Sequence, residues 1–183
     1  MRTAFEGLAM EDVSSELRIV ALTALLLIAC LADLRTRRIP NALVLVIVLV
    51  GAAATMTAYG AWSGITRSLA GAATGFAIWI PFWLLRMMGG GDVKLFAAGA
   101  AWLAPMQAVH AAMFAGIAGG VLSLAYLMFA HGVGYAVLRV ANGLSQPSSL
   151  RQVAPPVWER RMPYGLAMSA GLLLSVVYPG LFF

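Results

Sequence analysis

Asp33 and Asp92 are the only acidic residues between Glu16 and Glu159, and everything around them is apolar, small or basic. Each stands where a hydrophobic run meets a polar junction. The first is Leu31-Ala32-Asp33-Leu34-Arg35-Thr36-Arg37-Arg38-Ile39-Pro40-Asn41; the second is Met88-Gly89-Gly90-Gly91-Asp92-Val93-Lys94. An ionisable group near bilayer depth is costly, so a functional role is the default expectation for it. A pair of isolated carboxylates points to acid/base hydrolysis. If the two converge on one water, like charges so close do not both ionise cheaply, and the pair holds one proton between them. The ionised member takes a proton from water as it attacks a peptide carbonyl. The protonated member hydrogen-bonds the carbonyl oxygen and helps protonate the leaving nitrogen. Such a reaction calls for no metal, no cofactor and no covalent intermediate. Spacing offers no good serine-histidine or cysteine-histidine alternative.

The elements that position these two residues are membrane helices. Of 183 residues, 62% are hydrophobic and 10% charged, whereas a soluble domain is about 25% charged. Little room is left for a separate soluble domain. The net charge of +5 does not point to nucleic acid, because the basic residues sit in short junctions where they act as topology determinants. The single cysteine, Cys30, excludes an internal disulfide and a multi-cysteine zinc site. His110 and His131 lie in different apolar stretches without a nearby ligand partner and read as packing or interfacial residues.

Hydrophobic runs cover about Leu17–Ala32, Ile39–Tyr59, Ile65–Leu85, Val93–Leu103, Gln107–Ala130 and Tyr164–Phe183. The expected fold is an all-α, polytopic helix bundle of six membrane segments, with a short fourth helix after a glycine-rich junction. That fourth run reaches only about half the hydrocarbon thickness, so its helix starts inside the membrane or crosses a thin region. Residues 1–16 read as an extension outside the cytoplasm and 17–183 as the membrane domain, with a polar cytoplasmic connection over about 131–162. Orientation follows from Arg35, Arg37, Arg38, Arg86, Lys94, Arg139, Arg151, Arg160 and Arg161 on one side, against Arg2, Arg18 and Arg67 on the other. The excess marks the first side as cytoplasmic, and both aspartates fall on it.

Locally, Asp33 ends the first span and Pro40 is suited to open the second, since proline is tolerated in a helix's first turn. The three glycines before Asp92 permit unusual backbone and let a peptide approach closely. Asp92 would stand at the start of the fourth helix, which favours its charge. Taken singly, Asp92 also fits an ordinary N-cap, and Asp33 a solvated partner of the arginines behind it. GxxxG spacing at Gly71/Gly75 and Gly116/Gly120 reads as close helix packing. Leu27-Ile28-Ala29-Cys30 looks like a lipoprotein cleavage box, but the segment before it is acidic and three arginines follow it, against both the signal-peptide pattern and export. Cys30 reads instead as a small packing residue.

Asp33 with Arg35, Arg38 and Ile39-Pro40-Asn41, then Gly89-Gly90-Gly91-Asp92-Val93-Lys94, then Pro163-Tyr164-Gly165 before a last apolar helix, resembles the type IV prepilin peptidase family. The resemblance implies an intramembrane aspartyl endopeptidase of the bacterial inner membrane. Such enzymes cut a short basic leader from prepilins or pseudopilins at the cytoplasmic face. It implies Asp33 and Asp92 as the catalytic pair, Gly89 and Gly91 as motif glycines beside the substrate path, and Lys94 as a basic residue often found after the motif. The long members' extra cysteine-containing domain is missing, so N-methyltransferase activity is not expected. The chain is similar to the short form associated with Flp-type, or tight-adherence, pili. Its implied partners are the pilin substrate and the lipid bilayer, without nucleic acid.

Two other classes compete. A small carrier or channel would use Asp33 and Asp92 as ion or proton ligands, but it would place them near the midplane and commonly in repeated halves. Here both acids are on one side and no repeat is visible. A non-catalytic pilus-assembly subunit would keep the same fold.

Overall fold

The computed structural model describes residues 2–36, 39–131 and 164–178. Over these the chain is all-helical: α1 (Arg2–Thr36), α2 (Asn41–Tyr59), α3 (Ala61–Leu84), α4 (Gly90–Ala100), α5 (Pro105–His131) and α6 (Tyr164–Val177). The expected connection over 131–162 lies, beyond His131, outside the described residues, as do Arg37 and Arg38. Among the described residues six helices appear, as expected, but three segments are long and apolar enough to cross a membrane: Glu16–Thr36, Asn41–Tyr59 and Pro105–Ala125. α3 has the length, with 24 residues, but Ser63, Thr66, Arg67 and Ser68 dilute its apolar character. α4 and α6 have 11 and 14 residues, short of the roughly 20 that a crossing takes.

The shortness of α4 has a structural reason. Every other helix touches it, and Val93, Leu95, Phe96, Ala98, Gly99 and Ala100 on it are buried. A helix encased in protein need not match the hydrocarbon thickness, and irregular backbone at its ends is tolerated where protein surrounds it. Its chain continues through buried Ala101, Trp102 and Leu103. Pro105 then opens α5, where its missing N–H is no loss. Pro40 stands one step earlier than expected, as the extended N-cap of α2 rather than its first helical residue.

Small residues set the helix spacings. A Cβ on Gly71 would strike the carbonyl oxygens of Ala100 and Leu103, and one on Gly75 would lie 2.7 Å from the Ala100 Cβ. The first GxxxG pair therefore seats α3 on α4. The second pair does not behave so. Gly120 has nothing within 4 Å of its Cβ position, and Gly116 meets only the Trp79 ring at 4.0 Å. Close approach of α5 and α6 depends instead on Gly171, packed on Ala111 and Ala115. At Gly51 the α2 backbone meets the Trp102 ring, and Trp102 Nε1 donates to the Ile47 carbonyl at 3.0 Å. Gly60, with φ of 85°, makes the α2–α3 turn in a conformation that disfavours a side chain.

Candidate active site

Helix order gathers the sequence motifs at one end of the bundle. α1, α3 and α5 finish there, while α2, α4 and α6 begin there. Asp33 lies in the last turn of α1 and Asp92 in the first turn of α4. α1 and α4 touch directly. The Ile39 side chain, just past Asp33's helix, lies 3.9 Å from the Cβ position of Gly91, just before Asp92. The two motif segments are therefore neighbours, as hydrolysis by a pair would require.

The glycine junction works differently from the sequence expectation. Gly90 and Gly91 are already helical, and Gly89 is an extended N-cap with φ of −74° and ψ of 142°. None of the three has positive φ; the left-handed residue in this junction is Arg86, with φ of 58°. Gly89 and Gly90 are needed for closeness. A Cβ on Gly89 would lie 3.0 Å from Asp92 Oδ2, and one on Gly90 would lie 3.0 Å from Trp83 Nε1. A Cβ on Gly91 would make only an ordinary contact with the Ile39 side chain, at 3.9 Å, so closeness does not require glycine at this position. Asp92 is thus the third residue of the helix rather than its N-cap, with its carboxylate turned back over the helix start. It is buried, and the N-terminal amides of α4 favour a negative charge there. Lys94, two residues on, is exposed.

Asp33 is half-buried between α1 and α6. A Cβ on Gly165 would lie 2.9 Å from Asp33 Oδ2, so the second residue of α6 is held against the carboxylate. Oδ2 is buried, and the Gly165 backbone N–H faces the carboxylate. Cys30, one turn earlier on α1, is buried and places Sγ 3.7 Å from the Gly165 carbonyl, which makes it a packing residue of this same crossing. Tyr164 Oη lies 2.9 Å from Ser123 Oγ and ties the start of α6 to α5. His110 is buried within α5, as a packing histidine would be. Sequence alone left Gly165 without a role in the site; its signal was its place after Pro163-Tyr164 at the head of an apolar helix.

The exposed basic residues described at this end are Arg35, Arg86 and Lys94. Asp33 and Asp92 thus stand at one end of the bundle, half-buried and buried respectively, with exposed cations nearby. Comparison with curated proteins, and with solved structures, finds no match. The type IV leader peptidase family matches residues 20–124, more than half of the chain, a stretch that holds both aspartates and the whole glycine junction and stops before α6. The chain belongs to the type IV leader peptidase family, and its activity is that of an aspartic prepilin peptidase.

Proposed function

We propose that Asp33 and Asp92 are the catalytic pair and that the substrate is a prepilin of the Flp type, cut by an activated water at the cytoplasmic face of the inner membrane. The observation that carries this reading is the adjacency of the two motif segments, through Ile39 and Gly91 and the α1–α4 contact. The subtype rests on the sequence, in which a single cysteine accompanies the motifs. Residues 17–183 form the peptidase domain in this reading, and residues 1–16 an extension on the far side.

The environments of the two acids differ, and this divides their roles. Asp92, at a helix N-terminus, is the ionised member and takes the proton from water. Asp33, in the last turn of α1 where the carbonyl ends oppose a negative charge, is the protonated member. Its proton stabilises the carbonyl oxygen and then passes to the leaving nitrogen. In this reading the absence of a side chain at Gly91 lets an extended substrate backbone approach the start of α4, with Gly89 holding the Asp92 carboxylate and Lys94 at the rim. The test is leader removal from a co-expressed Flp-type prepilin. Asp33→Asn and Asp92→Asn, followed by alanine at each, should each reduce processing by at least about 100-fold. Normal processing by either variant removes that residue from the pair.

A further inference from the structure

The end of the bundle remote from the aspartates carries an arrangement that peptide hydrolysis does not use. Arg18 of α1 and Arg67 of α3 both lie over the ring of Tyr59, the last residue of α2, with their guanidinium carbons 5.5 and 4.5 Å from its centroid. Three helices therefore bring two cations within about 10 Å of each other around one ring. Neither is paired with an acid among the described residues, and the Nε of each is buried without a hydrogen bond. Nor does sequence place an acid one turn away. The i±3 and i±4 neighbours of Arg18 are Ser14, Ser15, Ala21 and Leu22; those of Arg67 are Ser63, Gly64, Ala70 and Gly71.

The position is that of a bilayer boundary. Arg18 lies two residues inside one candidate span, and Tyr59 closes another. Trp62, just beyond the α2–α3 turn, is 80% exposed. Exposed Trp and Tyr at span ends mark the headgroup level, and long arginine side chains reach toward it. Arg18 and Asp33 are 15 residues apart on α1, about 22 Å along the helix axis. Two arginines without an acidic partner among the described residues are unexpected here, because the excess of basic residues lies at the other end.

We infer that Arg18, Tyr59 and Arg67 form a binding site for a phosphate-ester anion, the headgroup of a net-negative phospholipid in the leaflet opposite the active site. Guanidinium forks match phosphate oxygens, and a single phosphodiester has acceptors enough for both. Two fixed positive charges favour a lipid with net negative charge over one whose choline carries its own cation. The tyrosine ring orients both forks.

The test uses the delipidated full-length chain in neutral detergent, with native mass spectrometry counting retained lipid. Phosphatidylglycerol and phosphatidylcholine of identical acyl chains are supplied in turn, then phosphatidylglycerol with inorganic phosphate. The wild type should hold one phosphatidylglycerol about 30-fold more tightly than phosphatidylcholine, the effect of two arginines near an anionic headgroup. The Arg18→Gln/Arg67→Gln double variant should lose that preference, while Arg86→Gln, at the opposite end, should keep it. Equal retention of the two lipids by the wild type overturns the inference even if the double variant does not fold. So does an unchanged preference in a folded double variant. Displacement of phosphatidylglycerol by millimolar inorganic phosphate assigns the site to the free ion and overturns the lipid assignment.

Discussion

Gly165 lies against Asp33 so closely that a single methyl group at 165 would sit 2.9 Å from the Asp33 carboxylate oxygen. The contact joins the first helix to the last described one and holds one member of the proposed acid pair from outside the stretch that carries the family match. Gly165→Ala should therefore lower leader removal by about 100-fold, the scale of a 1 Å misplacement of a reacting group. The protein should still accumulate in the membrane. Processing measured alongside protein level separates this from unfolding; unchanged processing would show that Asp33 does not depend on the crossing.

Gly89 and Gly91 should answer differently to the same substitution. Gly89→Ala puts a methyl 3.0 Å from Asp92 Oδ2, so the carboxylate must shift and processing should fall. Gly91→Ala meets only Ile39 at 3.9 Å, an ordinary contact, so thermal stability should stay within about 0.5 kcal/mol of wild type. A loss of processing in a fully stable Gly91→Ala protein would identify that space with substrate. Full activity would leave it without a catalytic purpose.

The two aspartates should not be equivalent. An amide at 33 can still donate a hydrogen bond to the carbonyl oxygen, whereas an amide at 92 cannot accept a proton from water. Asp92→Asn should therefore be the more damaging change, by about tenfold or more in single-turnover cleavage of a purified prepilin. The reverse order would exchange their roles.

The two GxxxG pairs provide a stability test with a built-in control. Gly71→Ala drives a methyl into the carbonyl oxygens of Ala100 and Leu103, which cannot move without shifting α4. Overpacking of this kind costs about 1–3 kcal/mol. Gly120→Ala meets nothing and should be neutral or slightly stabilising, since alanine is the better helix former. Reversible unfolding in mixed detergent would measure both; equal effects would contradict the seating of α3 on α4.

Trp102 ties the far end of the central segment to α2 by one hydrogen bond and one large ring. Trp102→Phe keeps most of the ring and leaves the Ile47 carbonyl without this donor, a loss of about 1 kcal/mol. Trp102→Ala removes both and should cost about 3–5 kcal/mol. The same unfolding measurement checks the ratio.

Hydropathy made the helices legible, including the first two spans and the α5 span. The two polar junctions around Asp33 and Asp92 stood out because each is the one acid in a long apolar context. Burial inside protein was not legible, since residues facing lipid and residues facing other helices are equally apolar. That is why α4 read as a truncated span when it is the central helix, and why Gly116/Gly120 read like Gly71/Gly75. Its run Ala97-Ala98-Gly99-Ala100-Ala101 was the available clue, because small residues on all sides suit a helix with neighbours on all sides. The glycines before Asp92 were visible, but whether they serve backbone freedom or closeness depends on φ and on neighbours, which only coordinates supply. Gly165 could not be paired with Asp33 for a related reason: the two are separated by most of the chain.

With α4 enclosed, Asp92 has a housing that lipids do not reach. Asp33 rides on a peripheral helix whose Leu27, Ile28, Leu31 and Leu34 face outward. Thickening or thinning the surrounding bilayer tilts such a helix at little cost and leaves the enclosed one where it is. If Asp33 and Asp92 act together, leader removal should then change with acyl-chain length in reconstituted bilayers, and equal rates across chain lengths would show that the Gly165 crossing holds Asp33 in place.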